Sequence, residues 1–214
     1  MALSVAVAVG DVADPLVDAI AARLPKLTIG DGTHPNSDMG PLITAAHRDK
    51  VAGYIGAGAQ QGATLVVDGR TEDVPSEGFF LGTTLLDHVT PEMTVYTDEI
   101  FGPVLCVVRV ETYEQGLKLI NDNPYANGTA IFTRDGGAAR AFQFDVEVGM
   151  VGINVPIPVP VAYYSFGGWK DSLFGDTHMY GAEGMNFYTR GKVVTSRWPD
   201  PATSSVDLGF PRTR

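Results

Sequence analysis

The sequence contains very little cysteine and no cluster of basic residues. Cys106 is the single cysteine in 214 residues, so no internal disulfide can form, which favours a reducing, cytoplasmic location. Lysine and arginine total 15 against 25 acidic residues, and the net charge of −10 argues against a nucleic-acid partner. The four histidines are scattered without the spacing of metal ligands, so we expect no metal site.

Two further absences concern nucleotides and membranes. The sequence has no G-x-x-x-x-G-K-[ST] motif and no G-x-G-x-x-G motif after a predicted strand, so we expect no independent site for dinucleotide phosphates. The apolar stretch 148–169 contains Pro156, Pro158 and Pro160, which rule out a regular membrane-spanning helix. The apolar start of the chain lacks a basic region before it, and we expect neither a secretory leader nor a membrane partner.

The residues that are present indicate a globular α/β protein. Apolar residues make up 44% of the chain and charged residues 19%. Residues 3–9 are apolar on both alternating faces, which predicts a strand buried on both sides. Asp14 and Pro15 then predict the N-cap and first turn of a helix. A second helix is expected over residues 44–60, followed by a strand over residues 64–67.

The clearest pattern of elements lies between Val104 and Val155. Strands are predicted at residues 104–110, 129–133 and 149–154, with helices between them, and Thr112 and Gln115 form a capping box. This β-α-β-α-β order is typical of parallel strands joined by right-handed crossovers. Residues 180–188 predict a short helix, and residues 192–198 an exposed or edge strand.

Cys106 is a poor candidate for a nucleophile. A reactive cysteine needs a lowered pKa, access to substrate and a nearby base or helix N-terminus. Cys106 instead lies in the middle of the apolar strand Val104–Val110, where a free cysteine acts as a small hydrophobic side chain. We therefore predict that it belongs to the core.

The segment Glu99-Ile-Phe-Gly-Pro103 admits two interpretations. Its carboxylate could hold the hydroxyls of a ribose and its aromatic ring could pack on a planar base, beside the end of a buried strand. Alternatively, Glu99 is a surface residue and Phe101 a core residue closing a turn. The segment alone does not separate a ligand site from a structural turn.

Five motifs in a fixed order resemble the aldehyde dehydrogenase superfamily from the start of the chain to about Trp198. They are Gly40-Pro-Leu42, Glu99-Ile-Phe-Gly-Pro103, Asn123-Pro-Tyr125 with Gly128, Gly152-Ile-Asn154 and Phe166-Gly-Gly-x-Lys170. Three further segments resemble the branch of CoA-acylating methylmalonate-semialdehyde and malonate-semialdehyde dehydrogenases. These are residues 127–133, the Pro-x-Pro-x-Pro segment 151–160, and Gly175-Asp-Thr-x-x-Tyr-Gly181.

The resemblance implies a fold and a division of the chain. The expected fold is the α/β, parallel-sheet catalytic domain of the aldehyde dehydrogenases with a C-terminal oligomerisation strand, and without their Rossmann-like cofactor domain. Residues 1–188 would form the catalytic-domain portion, residues 189–198 the oligomerisation strand, and residues 199–214 a loose tail. The strand Lys192–Trp198 would pair with a neighbouring subunit of a homo-oligomer.

The resemblance also implies roles for individual residues. Glu99 would bind the nicotinamide-side ribose of NAD, Phe101 would pack near the nicotinamide, and Lys50, with His47, would approach the adenosine end. For the substrate, the resemblance implies a tunnel wall containing Phe166 and the loop 155–164, which includes Pro158. Asn154 would position that loop.

No catalytic residue is assigned within this sequence. In the family the nucleophilic cysteine directly precedes Met-Ala-Leu-Ser, which here is Met1–Ser4, so the nucleophile would precede Met1. The resemblance places the oxyanion-hole asparagine, the general base and the substrate-binding basic residues upstream as well. In the full enzyme, a cysteine thiolate would attack the aldehyde, hydride would pass to NAD, and coenzyme A would take the acyl group. Loss of CO2 would leave acetyl-CoA or propionyl-CoA.

Three hypotheses remain open. The chain is part of a CoA-acylating dehydrogenase and inactive in isolation, or it is part of an aldehyde dehydrogenase that releases free acid. The third is a non-catalytic binding or assembly module that keeps the fold. Solubility discriminates the last from the others, because a severed domain is expected to expose a large apolar patch and associate.

Overall fold

The computed structural model describes residues 3–198, 200 and 202. The first two residues of Met1–Ser4 and most of the predicted tail therefore lie outside the described residues. Within the described chain there are eight strands, six α-helices and three short 3₁₀ helices. The strands are β1 Val5–Val9, β2 Thr64–Val67, β3 Thr84–Asp87, β4 Val104–Val110, β5 Tyr125–Ala126, β6 Gly128–Ile131, β7 Met150–Ile153 and β8 Trp169–Lys170. The helices are α1 Ala13–Ala21, α2 Ala45–Gln60, α3 Thr94–Thr97, α4 Tyr113–Asp122, α5 Gly136–Asp145 and α6 Ala182–Tyr188.

The main sheet has four strands in the order β1-β4-β3-β2. β4 pairs in parallel with β1 and β3, and β2 pairs antiparallel with β3. The sheet is therefore mixed rather than purely parallel as predicted. Two parallel neighbours need a crossover connection, usually a helix. The chain instead returns from β2 to β3 without such a helix, so these two strands pair antiparallel.

The apolar side chains of β4 alternate between two cores. Val104, Cys106 and Val108 pack in the cluster that contains Val51 and Ile55 of α2. Val107, on the other face, packs in a cluster with residues of α1. Because both faces of this strand are covered, it reads as a continuous apolar run in the sequence.

The predicted β-α-β-α-β unit is present in order but not in one sheet. β6 and β7 pair in parallel in a separate two-stranded sheet, and β4 belongs to the main sheet. A third apolar cluster joins this small sheet, through Ile131 and Val151, to Leu117 of α4 and Phe142 of α5. Thr112 Oγ1 accepts a hydrogen bond from Gln115 N, so the predicted cap of α4 is confirmed.

Three local predictions need correction. β1 lies at the edge of the main sheet, and only Ala8 of its residues is fully buried. Val5 packs against one core cluster and Ala6 and Ala8 belong to the other, so both faces are covered only in part. Val12, not Asp14, is the N-cap of α1, because the Asp14 carboxylate instead accepts from Arg109 Nη1 at 2.6 Å. Residues 192–198 form no strand within the chain, since no described strand lies alongside to complete a hydrogen-bonded ladder.

The chain divides into two compact units. The first contains residues up to Val159 together with Gly167–Gly175, and the second contains Pro160–Phe166 and the residues from Asp176 onward. These limits differ from the division at residue 188 implied by the resemblance, which stays a prediction about the family's functional parts. Among the described residues, no helix combines the length and the apolar character needed to cross a membrane.

Candidate functional site

The loop Asp98–Pro103 presents two exposed side chains around a buried one. Ile100 is buried in the core, whereas Glu99 is exposed and the ring of Phe101 is 78% exposed. Phe101 is therefore not the core residue of a simple turn. Among the described residues, no hydrogen bond or ion pair occupies the Glu99 carboxylate. A free carboxylate and a free ring two residues apart can receive a polar and a planar group of one ligand.

The backbone of Phe101 is in an unfavourable conformation. Its φ is 56°, in the left-handed region that residues with a side chain rarely adopt. Such strain persists only where the surrounding structure imposes it, and it is concentrated at functional sites. Asn154, a second residue that the resemblance places at the site, also has a φ of 56°.

Helix α2 holds the loop from one side. His47 Nε2 donates to the carbonyl oxygen of Phe101 at 2.9 Å. A Cβ on Gly102 would lie 2.7 Å from Val51 Cγ1, so this close approach requires glycine. Tyr54 Oη donates to Asp98 Oδ2 at 2.8 Å. This hydrogen bond is the main cause that lowers the pKa of Asp98, and it raises the pKa of Tyr54.

Lys50 lies beside this loop rather than in it. Its ammonium group is 5.7 Å from the centroid of the Tyr54 ring, within the range of a cation–π interaction. Lys50, Tyr54 and Asp98 line an open groove of about 270 Å³. The structure thus brings Lys50 close to Asp98, the residue that precedes Glu99. A role for Lys50 toward a cofactor stays a prediction.

The loop is placed at the amino end of β4. General rules for α/β proteins favour the carboxyl ends of parallel strands as ligand sites. That rule therefore does not account for this site, although it motivated the functional interpretation of Glu99 and Phe101. The functional interpretation of Glu99 and Phe101 rests on the local geometry of the loop instead.

Asn154 is committed to the backbone. Its Oδ1 accepts from Thr133 N at 3.0 Å, and its Nδ2 donates to Thr133 O at 3.0 Å. Asn154 N also donates to Ile131 O at 2.8 Å, which extends the β6–β7 pairing by one residue. The side chain is thus tied to the Thr133 backbone just before the loop 155–164. A role for Asn154 toward a substrate stays a prediction.

The following loop folds back over β7. A Cβ on Gly152 would lie 2.3 Å from the carbonyl oxygen of Val155 and 3.4 Å from Cβ of Pro158. Gly152 is therefore required for this return of the chain, and Pro158 is half-buried against it. Phe166 is half-buried in the second unit, where the neighbouring Ser165 Oγ donates to Tyr180 O at 2.8 Å.

The segment Gly167-Gly168-Trp-Lys170 packs tightly against the backbone of residues 123–127. A Cβ on Gly168 would lie 2.8 Å from Asn127 Cα, so this backbone approach excludes a side chain. Lys170 Nζ donates to the carbonyl oxygen of Asn123 at 3.3 Å and lies 3.5 Å from Glu147 Oε2. The positive charge of Lys170 is therefore paired within the fold, with Glu147.

Cys106 is confirmed as a core residue. It is fully buried, and its Sγ donates to Val95 O at 3.4 Å. Burial raises the pKa of this thiol to about 11, the opposite of what a nucleophile needs.

The support that α2 gives to the loop was not predicted from the sequence. His47, Val51 and Tyr54 follow one another at helical spacings of four and three, so they share one face of the helix. This spacing was visible in the sequence, but nothing in it identified the loop as the partner of that face.

Comparisons with known proteins agree with the geometry. Residues 1–194 match the aldehyde dehydrogenase family. Malonate-semialdehyde dehydrogenase of Pseudomonas aeruginosa is 62% identical over 99% of this chain and 43% of its own length. The crystal structure of methylmalonate-semialdehyde dehydrogenase from Oceanimonas doudoroffii superposes with a TM-score of 0.90 at 59% identity, covering 94% of this chain and 42% of that one.

A structure with a bound nucleotide is also similar. A Sinorhizobium meliloti protein, provisionally named methylmalonate-semialdehyde dehydrogenase and complexed with NAD, gives a TM-score of 0.88 at 48% identity. The match covers 94% of this chain and 42% of that protein. The present chain therefore spans less than half the length of these relatives.

Proposed function

Because the chain belongs to the aldehyde dehydrogenase family, we propose that it forms the catalytic-domain portion of an NAD-dependent, CoA-acylating semialdehyde dehydrogenase. The proposed substrates are malonate semialdehyde and methylmalonate semialdehyde, and the products are acetyl-CoA or propionyl-CoA, CO2 and NADH. Support for this substrate class comes from the 62% identical relative from Pseudomonas aeruginosa. Complete turnover would need parts that these 214 residues do not supply.

The observation that carries the proposal is the exposed pair Glu99 and Phe101 on a strained, braced loop. An exposed carboxylate fits the two hydroxyls of the nicotinamide-side ribose, and an exposed ring fits the planar nicotinamide. The left-handed backbone of Phe101 and the hydrogen bond that its carbonyl oxygen accepts from His47 fix the direction in which the ring leaves the backbone. A fixed contact surface costs less entropy when a ligand binds.

These residues fit NAD, which accepts hydride from the aldehyde carbon when it is bound. Glu99 would orient the ribose through its two carboxylate oxygens, and Phe101 would limit the tilt of the nicotinamide. Asn154 holds the start of the loop that carries Pro158. Pro158 and Phe166 are each proposed as substrate-binding residues. These are positioning roles, which determine how closely the reacting atoms approach each other.

The 214-residue chain by itself is proposed to be inactive. Formation of an acyl-enzyme needs an accessible thiolate, and the only thiol in the sequence is the buried Cys106. Coenzyme A is the proposed acyl acceptor in the complete enzyme. The segment Lys192–Trp198 is proposed to pair with a second subunit, because Val193 and Trp198 are almost fully exposed.

A chimera tests the proposed function. The chain replaces the matching segment of the Pseudomonas aeruginosa malonate-semialdehyde dehydrogenase, and NADH and acyl-CoA are measured with malonate semialdehyde, NAD and coenzyme A. We expect acetyl-CoA in amounts equal to the NADH formed. A folded chimera that releases free acid, or that oxidises no semialdehyde, would refute the CoA-acylating function. Separately, NADH formation by the 214-residue chain alone would refute its proposed inactivity.

The cofactor role of Phe101 is tested in the same chimera. Phe101→Ala is expected to weaken NAD binding by roughly tenfold, since an aromatic contact contributes about 1 kcal/mol beyond its buried area. Phe144→Ala is the matched control, because Phe144 is 77% exposed but lies on α5. Equal NAD dissociation constants for the two variants would contradict the assignment.

A further inference from the structure

One face of α2 is the support of the loop that carries Glu99 and Phe101. His47, Val51 and Tyr54, here named the α2 stripe, contact that loop at three points. The contacts are a hydrogen bond to Phe101 O, close packing on Gly102, and a hydrogen bond to Asp98. The loop is therefore held at both ends by one rigid helix.

The three residues of the α2 stripe contact the loop in different ways. Val51 is fully buried and fixes how near the helix approaches the loop. Tyr54 bonds to the side chain of Asp98 and not to the backbone of the loop. His47 alone in the stripe bonds to the backbone at the strained residue itself. The orientation of the peptide after Phe101 thus depends on His47.

His47 is itself held in place. It lies in the first turn of α2, and its backbone N–H donates to the Oγ1 of the N-cap residue Thr44 at 3.1 Å. Because a carbonyl oxygen only accepts, the hydrogen of the imidazole must be on Nε2. That hydrogen is present in one neutral tautomer and in the protonated ring, so the bond does not require a charged histidine.

We propose that His47 is a positioning residue that holds Phe101 in its left-handed conformation and thereby places the Phe101 ring for the nicotinamide. The inference rests on the proposed function, because it presumes that the ring receives this cofactor. It gives His47 a different role from the one that the resemblance implied, which was an approach to the adenosine end of NAD.

The proposal predicts which substitutions preserve the role. Glutamine can place an N–H group near the position of the imidazole Nε2, whereas alanine has no donor. In the chimera, His47→Ala is expected to weaken NAD binding by roughly three- to tenfold, the usual effect of one lost hydrogen bond. His47→Gln should restore the NAD dissociation constant to within about twofold of the starting protein. The KM for the semialdehyde should be unchanged by either substitution.

A double-mutant cycle separates positioning from direct contact with NAD. Phe101→Gly removes the ring and also relieves the strain, so His47 then has nothing to position. His47→Ala is therefore expected to have no further effect on NAD binding in the Phe101→Gly background. If the His47→Ala effect persists there, His47 contacts the cofactor directly and the proposal is wrong.

A control variant and two separate outcomes distinguish failure of the His47 role from failure of the proposed function. Arg48→Ala is the matched control, because Arg48 lies in the same helical turn and its side chain bonds to the adjacent Asp49. NAD binding that is weakened by Phe101→Ala but not by His47→Ala overturns the role of His47 and leaves the proposed function intact. NAD binding that neither substitution changes overturns the placement of the cofactor at this loop, and with it the proposal. Should His47→Ala fail to fold, the cycle is run with His47→Asn, whose amide is too short to reach.

Discussion

Large apolar side chains are buried in the main sheet but mostly exposed in the C-terminal part of the chain. In the main sheet, Leu85, Leu86 and Val107 are fully buried between helices on both faces. From residue 182 to residue 198, large apolar side chains are mostly exposed, and Val193 is 95% exposed. The first region forms its own core from residues within the chain. The second region has the composition of a buried surface, without described residues that cover it.

The difference shows that apolar composition alone does not create a core. β4 buries its side chains because it pairs on both sides and is covered on both faces. Residues 190–198 contain apolar side chains too, but they form no helix or strand within the chain. Contiguous exposed apolar surface commonly marks a place where another protein surface binds. This agrees with the proposed pairing of Lys192–Trp198.

The largest expected effect in the sheet comes from the ion pair between the buried Asp87 and the partly exposed Arg109. Asp87 is 3% exposed, and Arg109 donates to both of its carboxylate oxygens, at 3.0 and 2.6 Å. Arg109→Met would leave that carboxylate without its partner. Because Arg109 itself is partly exposed, we expect the free energy of unfolding of the 214-residue chain to fall by about 1–3 kcal/mol, the cost of one unsatisfied buried acceptor. Lys118→Met is the control, because its pair with Asp122 is exposed on α4. Equal urea midpoints for the two variants would contradict the prediction.

The same pair determines the response to acid. Burial by itself raises the pKa of Asp87, but the hydrogen bonds from Arg109 and from His88 N outweigh it, so the pKa lies below its usual value. A lowered pKa means that the stabilisation is present above about pH 4 and is lost as the pH falls through the folded-state value. The acid dependence of the unfolding free energy should therefore become weaker in Arg109→Met.

A smaller effect is expected at Cys106. Cys106→Ala removes one buried sulfur atom, and we expect a loss of about 1 kcal/mol in the free energy of unfolding. In the chimera the same substitution should leave acyl-CoA formation unchanged. Loss of the acyl-enzyme in that variant would reverse the assignment of Cys106 to the core.

The pH dependence at Cys106 has the opposite sign to that at Asp87. Burial raises the pKa of the thiol to about 11, so the folded state favours the neutral form. The stabilisation is complete below the pKa of the unfolded thiol and is lost as the pH rises toward about 11. Iodoacetamide should therefore modify the folded chain far more slowly than the urea-unfolded chain at neutral pH.

The smallest effect is expected in the C-terminal region. Val193→Ser should change the free energy of unfolding of the 214-residue chain by less than about 0.5 kcal/mol, because the side chain is already in water. The chimera offers the contrast, since a paired strand would bury Val193 and make the same substitution weaken the oligomer. Sedimentation measurements on both proteins test this. A large loss in the isolated chain would show that this region is covered after all.

Several candidate site residues could be named from the sequence because their motifs are local. Glu99 and Phe101 lie within a five-residue segment, and Asn154 directly follows a strand. The orientations of Glu99 and Phe101 could not be predicted, because the loop that carries them is held by α2, about 50 positions earlier in the chain. Similarly, Asp14 matched the pattern of a helix cap, but a long-range ion pair to Arg109 determines its orientation.

The sequence by itself determined the elements whose signals are short in range. These are the extent of β4, the extent of α2, the N-cap of α4, and the place of Cys106 in an apolar strand. Only the tertiary structure decided which strands share a sheet, that β1 lies at its edge, and that the α2 stripe braces Phe101. The physical reason is that periodicity and capping act over a few residues. Strand pairing, strain and charge burial depend on contacts between residues far apart in the chain.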